Sequence, residues 1–156
     1  MQKVKTEVRE LQTTYYENGQ KYSEKVFKGN EKDGVWNYYY ENGQKKFEIN
    51  YKNDKQNGMR TRWYENGQKN FEENLKDGKR DGVRTVWFGN GNVYGAENFK
   101  NGERDGTRFE RQGDTGFRFA NFKNGKADGV EVVWDNYKGI TSFEIYKNDF
   151  LVKEIA

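Results

Sequence analysis

The sequence contains no cysteine, no histidine and no proline. Without cysteine there are no disulfides and no thiolate metal sites, although this does not fix a compartment. With histidine also missing, Cys/His and Ser/His nucleophilic pairs and imidazole-bound metals are excluded; the only serines are Ser23 and Ser142. Without proline, nothing in the composition interrupts strand hydrogen bonding. No apolar run is long enough for a signal peptide or a membrane helix. The sequence leaves localisation open: cytoplasmic as it stands, exported if a signal peptide has been removed. Net charge is scarce too, at +3 from 28 basic and 25 acidic side chains, so charge alone does not call for nucleic acid. Hydrophobic residues make up only 32% of the chain, and aromatics account for 17%. That is too little aliphatic material for a thick two-layer core, yet too aromatic for a disordered chain.

What is present is a repeat. The stretch Trp36-Asn37-Tyr38-Tyr39-Tyr40-Glu41-Asn42-Gly43-Gln44-Lys45-Lys46-Phe47 has a copy before it at Tyr15-Tyr16-Glu17-Asn18-Gly19-Gln20-Lys21. Another follows at Trp63-Tyr64-Glu65-Asn66-Gly67-Gln68-Lys69, and a looser one at Trp87-Phe88-Gly89-Asn90-Gly91-Asn92. Gly19, Gly43, Gly67 and Gly91 recur every 24 residues. Gly34, Gly58, Gly82 and Gly106 keep the same beat, and Gly129 comes one residue early. Two locked series at one spacing mean a repeat array.

Each unit reads as two strands and two turns. First strands are expected at 35–40, 59–64, 83–88 and 130–134, and second strands at 45–51, 69–75, 93–99 and 117–122. Asn-Gly between aromatic-rich runs is a strong hairpin signal, because both residues tolerate positive φ. A longer loop of the type Lys-Asn-Gly-Glu-Arg-Asp-Gly, at 100–106, closes the unit. The fold class is therefore all-β: consecutive antiparallel hairpins, about 24 residues per unit, in one elongated, twisted sheet. About five hairpins are expected side by side, with no helix. Residues 1–10 read as a polar lead-in, 11–149 as the array, and 150–156 as a capping strand.

Facing depends on the turn. A two-residue loop at Asn42-Gly43 puts Trp36 opposite Ile49, whereas a three-residue loop bulged at the glycine puts Val35, Asn37 and Tyr39 with Phe47, Ile49 and Tyr51. The second form segregates side chains better and is preferred. It places Met59, Thr61 and Trp63 with Phe71 and Leu75, leaving Arg60, Arg62, Tyr64, Asn70, Glu72 and Asn74 on the other side. The apolar face then holds two ladders. One is Tyr15, Tyr39, Trp63, Trp87 and Trp134; the other is Phe27, Tyr51, Leu75, Phe99, Phe122 and Tyr146. At 107–118 the signature decays, a sign of repeat degeneracy near a terminus or of a bend or docking point.

The unit Phe27-Lys28-Gly29-Asn30-Glu31-Lys32-Asp33-Gly34-Val35-Trp36, continued to Lys46, resembles the variant form of the MORN repeat. The resemblance covers most of 11–149 and implies a long sheet of consecutive hairpins. Bacterial chains of this kind are grouped as a YwqK-like antitoxin family, partners or immunity proteins of secreted toxins. Others are surface or secreted repeat proteins, and MORN repeats are also linked to scaffolding and lipid headgroups. A repeat transfers architecture better than function.

No catalytic, cofactor or metal residues are nominated. Glu24, Glu48 and Glu72 recur at one position, but a repeated carboxylate reads as a solvated face or an ion-pair ladder. Asp33, Asp81, Asp105 and Asp128, with Asn57 in the same slot, read as turn chemistry; calcium would need about 6–8 oxygens around one ion. The partner-binding candidates are Tyr39, Trp63, Trp87, Trp134, Tyr64, Phe88, Arg60, Arg62, Arg84 and Arg108. Tyr and Trp bring rigid area with a polar tip. Glu48, Glu72 and Glu110 are expected to pair with these arginines. The leading function is a non-enzymatic protein-binding module whose partner could be a toxin, and self-association is open to it. The alternatives are an exported adhesive repeat protein, or a sheet binding anionic lipid or nucleic acid through arginine.

Overall fold

The computed structural model describes residues 8–155 and contains thirteen strands: β1 (Arg9–Tyr15), β2 (Lys21–Lys28), β3 (Glu31–Tyr39), β4 (Lys45–Lys52), β5 (Lys55–Trp63), β6 (Lys69–Lys76), β7 (Lys79–Trp87), β8 (Val93–Lys100), β9 (Glu103–Gln112), β10 (Gly116–Lys123), β11 (Lys126–Asp135), β12 (Gly139–Lys147) and β13 (Phe150–Glu154). Each pairs antiparallel with its sequence neighbour, so the order in the single open sheet is the order in the chain. There is no helix among the described residues. At about 4.8 Å per strand, the row extends roughly 60 Å. The expected all-β array of hairpins is what forms. Of the expected lead-in, 1–7 lie outside the described residues, while Arg9 and Glu10 belong to β1. The last hairpin forms between β12 and β13.

The two turns of each unit differ. The expected seven-residue loop at 100–106 is instead a two-residue turn, because Lys100 already pairs with Glu103. Its central residues Asn101 and Gly102 have φ of 52° and 94°, the both-positive pattern of a type I′ turn. Asn53 with Asp54, Asp77 with Gly78, Asn124 with Gly125 and Asn148 with Asp149 repeat it. The Asp-Gly pair lies inside the next strand as a bulge. Gly106 has φ +114°, and a Cβ there would stand 3.1 Å from the Cβ of Asn98. Asn98 donates across this bulge to the Thr107 carbonyl at 3.0 Å, as Asn50 does to Met59 at 2.6 Å.

The other turn holds the three-residue loop that was expected. Tyr40 N–H donates to the Gln44 carbonyl at 2.8 Å, and Gly43 N–H to the Tyr40 carbonyl at 2.9 Å. A second bulge follows that sequence reading missed. Tyr39 pairs with Lys45, but Tyr38 pairs with Phe47, so Lys46 is the extra residue. This shift of one residue exchanges the faces. Trp36 stands opposite Ile49, and Arg62 opposite Phe71. The preferred register is thereby corrected, and Arg60 and Arg62, not Met59 and Thr61, share the face of Phe71 and Leu75. The extra residue covers the turn ring. Lys46 Nζ lies 5.2 Å from the Tyr40 ring, Tyr22 packs edge-on to Tyr16 at 5.1 Å, and Tyr94 edge-on to Phe88 at 5.3 Å. The β9–β10 hairpin has no register shift, so it lacks the extra residue. That missing residue is why Gly129 arrives one position early.

Following the register defines two faces. Face one carries Phe27, Trp36, Tyr38, Phe47, Ile49, Tyr51, Arg60, Arg62, Phe71, Glu73, Leu75, Arg84, Glu97 and Phe99. Face two carries Glu24, Asn37, Glu48, Thr61, Glu72 and Thr85 along its middle. The two aromatic ladders expected on one side are therefore on opposite sides: the Phe27–Tyr51–Leu75–Phe99 row on face one, the Tyr15–Tyr39–Trp63–Trp87 row on face two. Among the described residues the buried apolar ones are few, namely Trp36, Leu75, Phe99 and Ala120, and all four lie on face one.

Candidate protein-binding faces of the sheet

The repeated signature residues hook each turn to the next. Tyr16 OH donates to the Tyr39 carbonyl at 2.7 Å, Tyr40 to that of Trp63 at 2.7 Å, and Tyr64 to that of Trp87 at 2.9 Å. Asn18, Asn42 and Asn66 donate to the carbonyls of Glu41, Glu65 and Gly89. Each asparagine also accepts from its own turn, as Asn42 Oδ1 does from Gln44 N–H at 3.0 Å. Along the opposite margin, Gly78, Gly102 and Gly125 donate to the carbonyls of Gln56, Arg80 and Arg104, each at 2.8 Å. Tyr64, nominated as a contact residue, is thus held at the turn margin by its hydroxyl. Phe88 takes the same place without one.

Face two holds Tyr39, Trp63 and Trp87 in a row whose charges are internally matched. Lys45 Nζ sits 5.7 Å from the Trp63 ring and 2.5 Å from Glu48. Lys69 sits 5.4 Å from Trp87 and 2.5 Å from Glu72. Tyr39 OH donates to Glu24 at 2.5 Å, and Lys21 pairs with the same carboxylate. Burial above all, and then the Glu24 bond, push the Tyr39 phenol up to about 12. The Lys21 and Tyr39 hydrogen bonds hold Glu24 below the usual carboxylate range. Trp134 lies further along the same face, on β11, with its indole N–H buried and unpartnered. The expected pairing of Glu48 and Glu72 with the nominated arginines does not form, because these carboxylates lie on face two, where they pair with Lys45 and Lys69.

Face one from β6 onward is an ion lattice. Glu73 is 1% exposed and accepts from Arg60 Nε at 2.8 Å and Arg80 Nε at 2.6 Å, with Arg84 Nε at 3.6 Å. Glu97 bridges Arg84 and Arg104 at 3.4 and 2.9 Å. Arg108 pairs with Glu110, and Arg118 with Glu131 at 2.8 Å. The Glu131 hydrogen bond raises Arg118. Arg60, Arg84 and Arg108 are thus committed to carboxylates. Their guanidinium planes also cover rings, with Arg60 and Arg84 5.7 and 5.3 Å from Phe71.

From β2 to β5 the same face changes character. Lys25 stands over Trp36 and Tyr38, Lys32 over Trp36 and Tyr51, and Arg62 over Phe47, all within 4.8–5.3 Å. Lys46 joins them through Tyr40, and a cleft of 320 Å³ opens among Tyr22, Tyr38, Lys46, Phe47 and Ile49. The ten nominated contact residues are therefore divided. Tyr39, Trp63, Trp87 and Trp134 lie on face two. The four arginines lie on face one, and Tyr64 and Phe88 at the turn margin beside it. Sequence reading missed Lys25, Lys32, Tyr38 and Phe47; with the second bulge known, their spacing from Arg62 would have placed them together.

The loop aspartates reach protein groups. Asp81 and Asp105 accept from the N–H of Asn101 and Asn124 in the next turn, while Asp33, Asp105 and Asp128 pair with Arg9, Lys123 and Lys147. Among the described residues no helix is long and apolar enough to cross a membrane. A family model described as MORN repeat variant matches residues 11–28, 32–53, 56–77 and 80–101. No curated protein matches the chain.

Proposed function

This chain belongs to the MORN repeat variant family, and on that premise we propose that it holds a partner protein against an open sheet face, as an antitoxin or immunity protein covers a toxin. MORN repeats are generally protein- or membrane-binding modules, and the family is a non-enzymatic repeat. One observation carries the reading: on face one of β2–β5, four cations lie on aromatic rings, and no second layer of the described residues covers them. Tyr, Trp and Phe rings with an arginine among them are residue types that protein interfaces favour. Of the nominated residues, Arg62 and Tyr64 border this patch. The Tyr39, Trp63 and Trp87 row, with its charges matched internally, serves the sheet in this account. The test is co-purification of the full chain from its native host, followed by size-exclusion chromatography. A stoichiometric complex, weakened by Lys25→Glu with Arg62→Glu, is expected. Absence of any complex, or one indifferent to these changes and lost with Trp63→Ala, overturns the reading.

A further inference from the structure

One position of the repeat sets the charge of face one. Residues 25, 49, 73 and 97 are Lys, Ile, Glu and Glu; further on, 120 is Ala, with Glu110 and Glu131 supplying the carboxylates there, and 144 is Glu. Pairing puts the first four in one row: Lys25 opposite Trp36, Ile49 opposite Arg60, Glu73 opposite Arg84, Glu97 opposite Arg108. Where the glutamates stand, every neighbouring arginine finds a carboxylate. Lys25 and Ile49 offer none: Arg60, opposite Ile49, reaches past it to Glu73, and the cations of β2–β4 find no carboxylate in the row. Among the described residues, Lys25, Lys32, Lys46 and Arg62 have ring contacts and no ion pair. A ring quadrupole attracts a cation without neutralising it. Two ammonium groups over one indole, 5.2 and 4.8 Å from its centre, repel each other unless water or an anion intervenes.

We propose that this patch, on four adjacent strands, receives an acidic polypeptide segment of the partner. The inference rests on the protein-binding reading above and adds the partner's chemistry. Acidic residues alternating along an extended segment recur about every 6.8 Å, and the cations span roughly 14 Å across β2–β5. Carboxylates would settle between the lysines while side chains enter the cleft at Tyr38, Phe47 and Ile49. A nucleic acid would need open ring faces for its bases. Trp36 offers none, being 6% exposed beneath two lysines. An anionic membrane would also meet the carboxylates of the adjoining lattice at Glu73 and Glu97, which a segment confined to β2–β5 avoids.

The experiment titrates the full chain with poly-L-glutamate of about twenty residues, with oligo-dT of equal charge and with phosphatidylserine vesicles. Poly-glutamate binding is expected to be the tightest of the three. It should weaken about tenfold or more in Lys25→Glu/Lys46→Glu/Arg62→Glu, the scale of several lost charge contacts. It should remain in Lys55→Glu/Lys76→Glu/Lys126→Glu, which changes net charge equally at the exposed turn margin. Lys25→Gln/Lys46→Gln/Arg62→Gln, checked for folding by circular dichroism, should weaken it as well and guards against misfolding of the reversal variant. Absence of poly-glutamate binding, equal loss in both reversal variants, or preference for oligo-dT or vesicles overturns the inference. If the native complex persists despite such a result, only the acidic chemistry fails; if no complex forms at all, the protein-binding reading fails with it.

Discussion

Glu73 is the residue on which face one turns. Its carboxylate is almost fully buried and shared by Arg60 and Arg80, with Arg84 close by. Removing the shared carboxylate of a buried charge cluster leaves charges unpaired, at up to about 3–5 kcal/mol when they are fully buried and less here, where the arginines keep partial contact with water. Glu73→Ala should therefore lower denaturation midpoints clearly more than Glu72→Ala, on the exposed Lys69 pair, which should cost about 1 kcal/mol or less. Chemical denaturation of both variants checks this. Titration gives a second reading at this scale. Glu24 and Glu144 are held below the ordinary 4.5, the first chiefly by Lys21 and the second by Tyr146. A lowered folded pKa favours the fold above the unfolded value, so that contribution is present above pH 4.5 and fades on acidification. Tyr39 has the opposite sign. With its phenol raised from 10.0 to about 12, its contribution is complete below pH 10 and is lost as pH rises toward 12. Thermal melts across that window should show a decline that Tyr39→Phe reduces.

At the scale of the element, the two turns do different work. The type I′ turns fix register, and the tyrosine turns tie each unit to the next. Tyr40→Phe removes one hydroxyl bond to the Trp63 carbonyl and should cost about 0.5–1.5 kcal/mol, read from urea unfolding. The second bulge supplies a sharper test. The β9–β10 hairpin shows that the sheet accepts the unbulged form. Deleting Asn70, the extra residue of the β5–β6 hairpin, should preserve both faces and cost about 1 kcal/mol, or 2–4 °C in Tm. Deleting Glu72 beyond it turns either Glu73 or, if the bulge is lost, Phe71 to face two, and should cost several times as much.

These bulges also mark the limit of what was legible in the sequence. The period, the hairpins and the glycine bulge of the Asn-Gly loop could be read because each depends on residue types that only a few backbones tolerate. The second bulge could not, because its extra residues, Tyr22, Lys46, Asn70 and Tyr94, carry no common signature. Missing it exchanged the faces and joined arginines to tryptophans that the sheet keeps apart. The early arrival of Gly129 was the one visible trace of it.

At the scale of the whole molecule, a row of thirteen strands is tied by neighbouring strands and by short links one strand further, such as Arg9–Asp33 and the tyrosine turns, so each part carries its own character. From β6 onward face one is closed by its own ion lattice. From β2 to β5 its cations wait over rings without carboxylates. A repeat array can thus keep one backbone rhythm while one position, occupied by Lys25, Ile49, Glu73 and Glu97, changes the surface from cations over rings to arginines paired with carboxylates.

The most direct test places a photo-crosslinking benzoylphenylalanine at Tyr38 or Phe47 on face one, and at Trp63 or Trp87 on face two, in the full chain expressed in its native host. The account predicts a discrete protein adduct from Tyr38 and Phe47 and none from Trp63 and Trp87. Adducts from the tryptophan positions alone, or from none of the four, would contradict it.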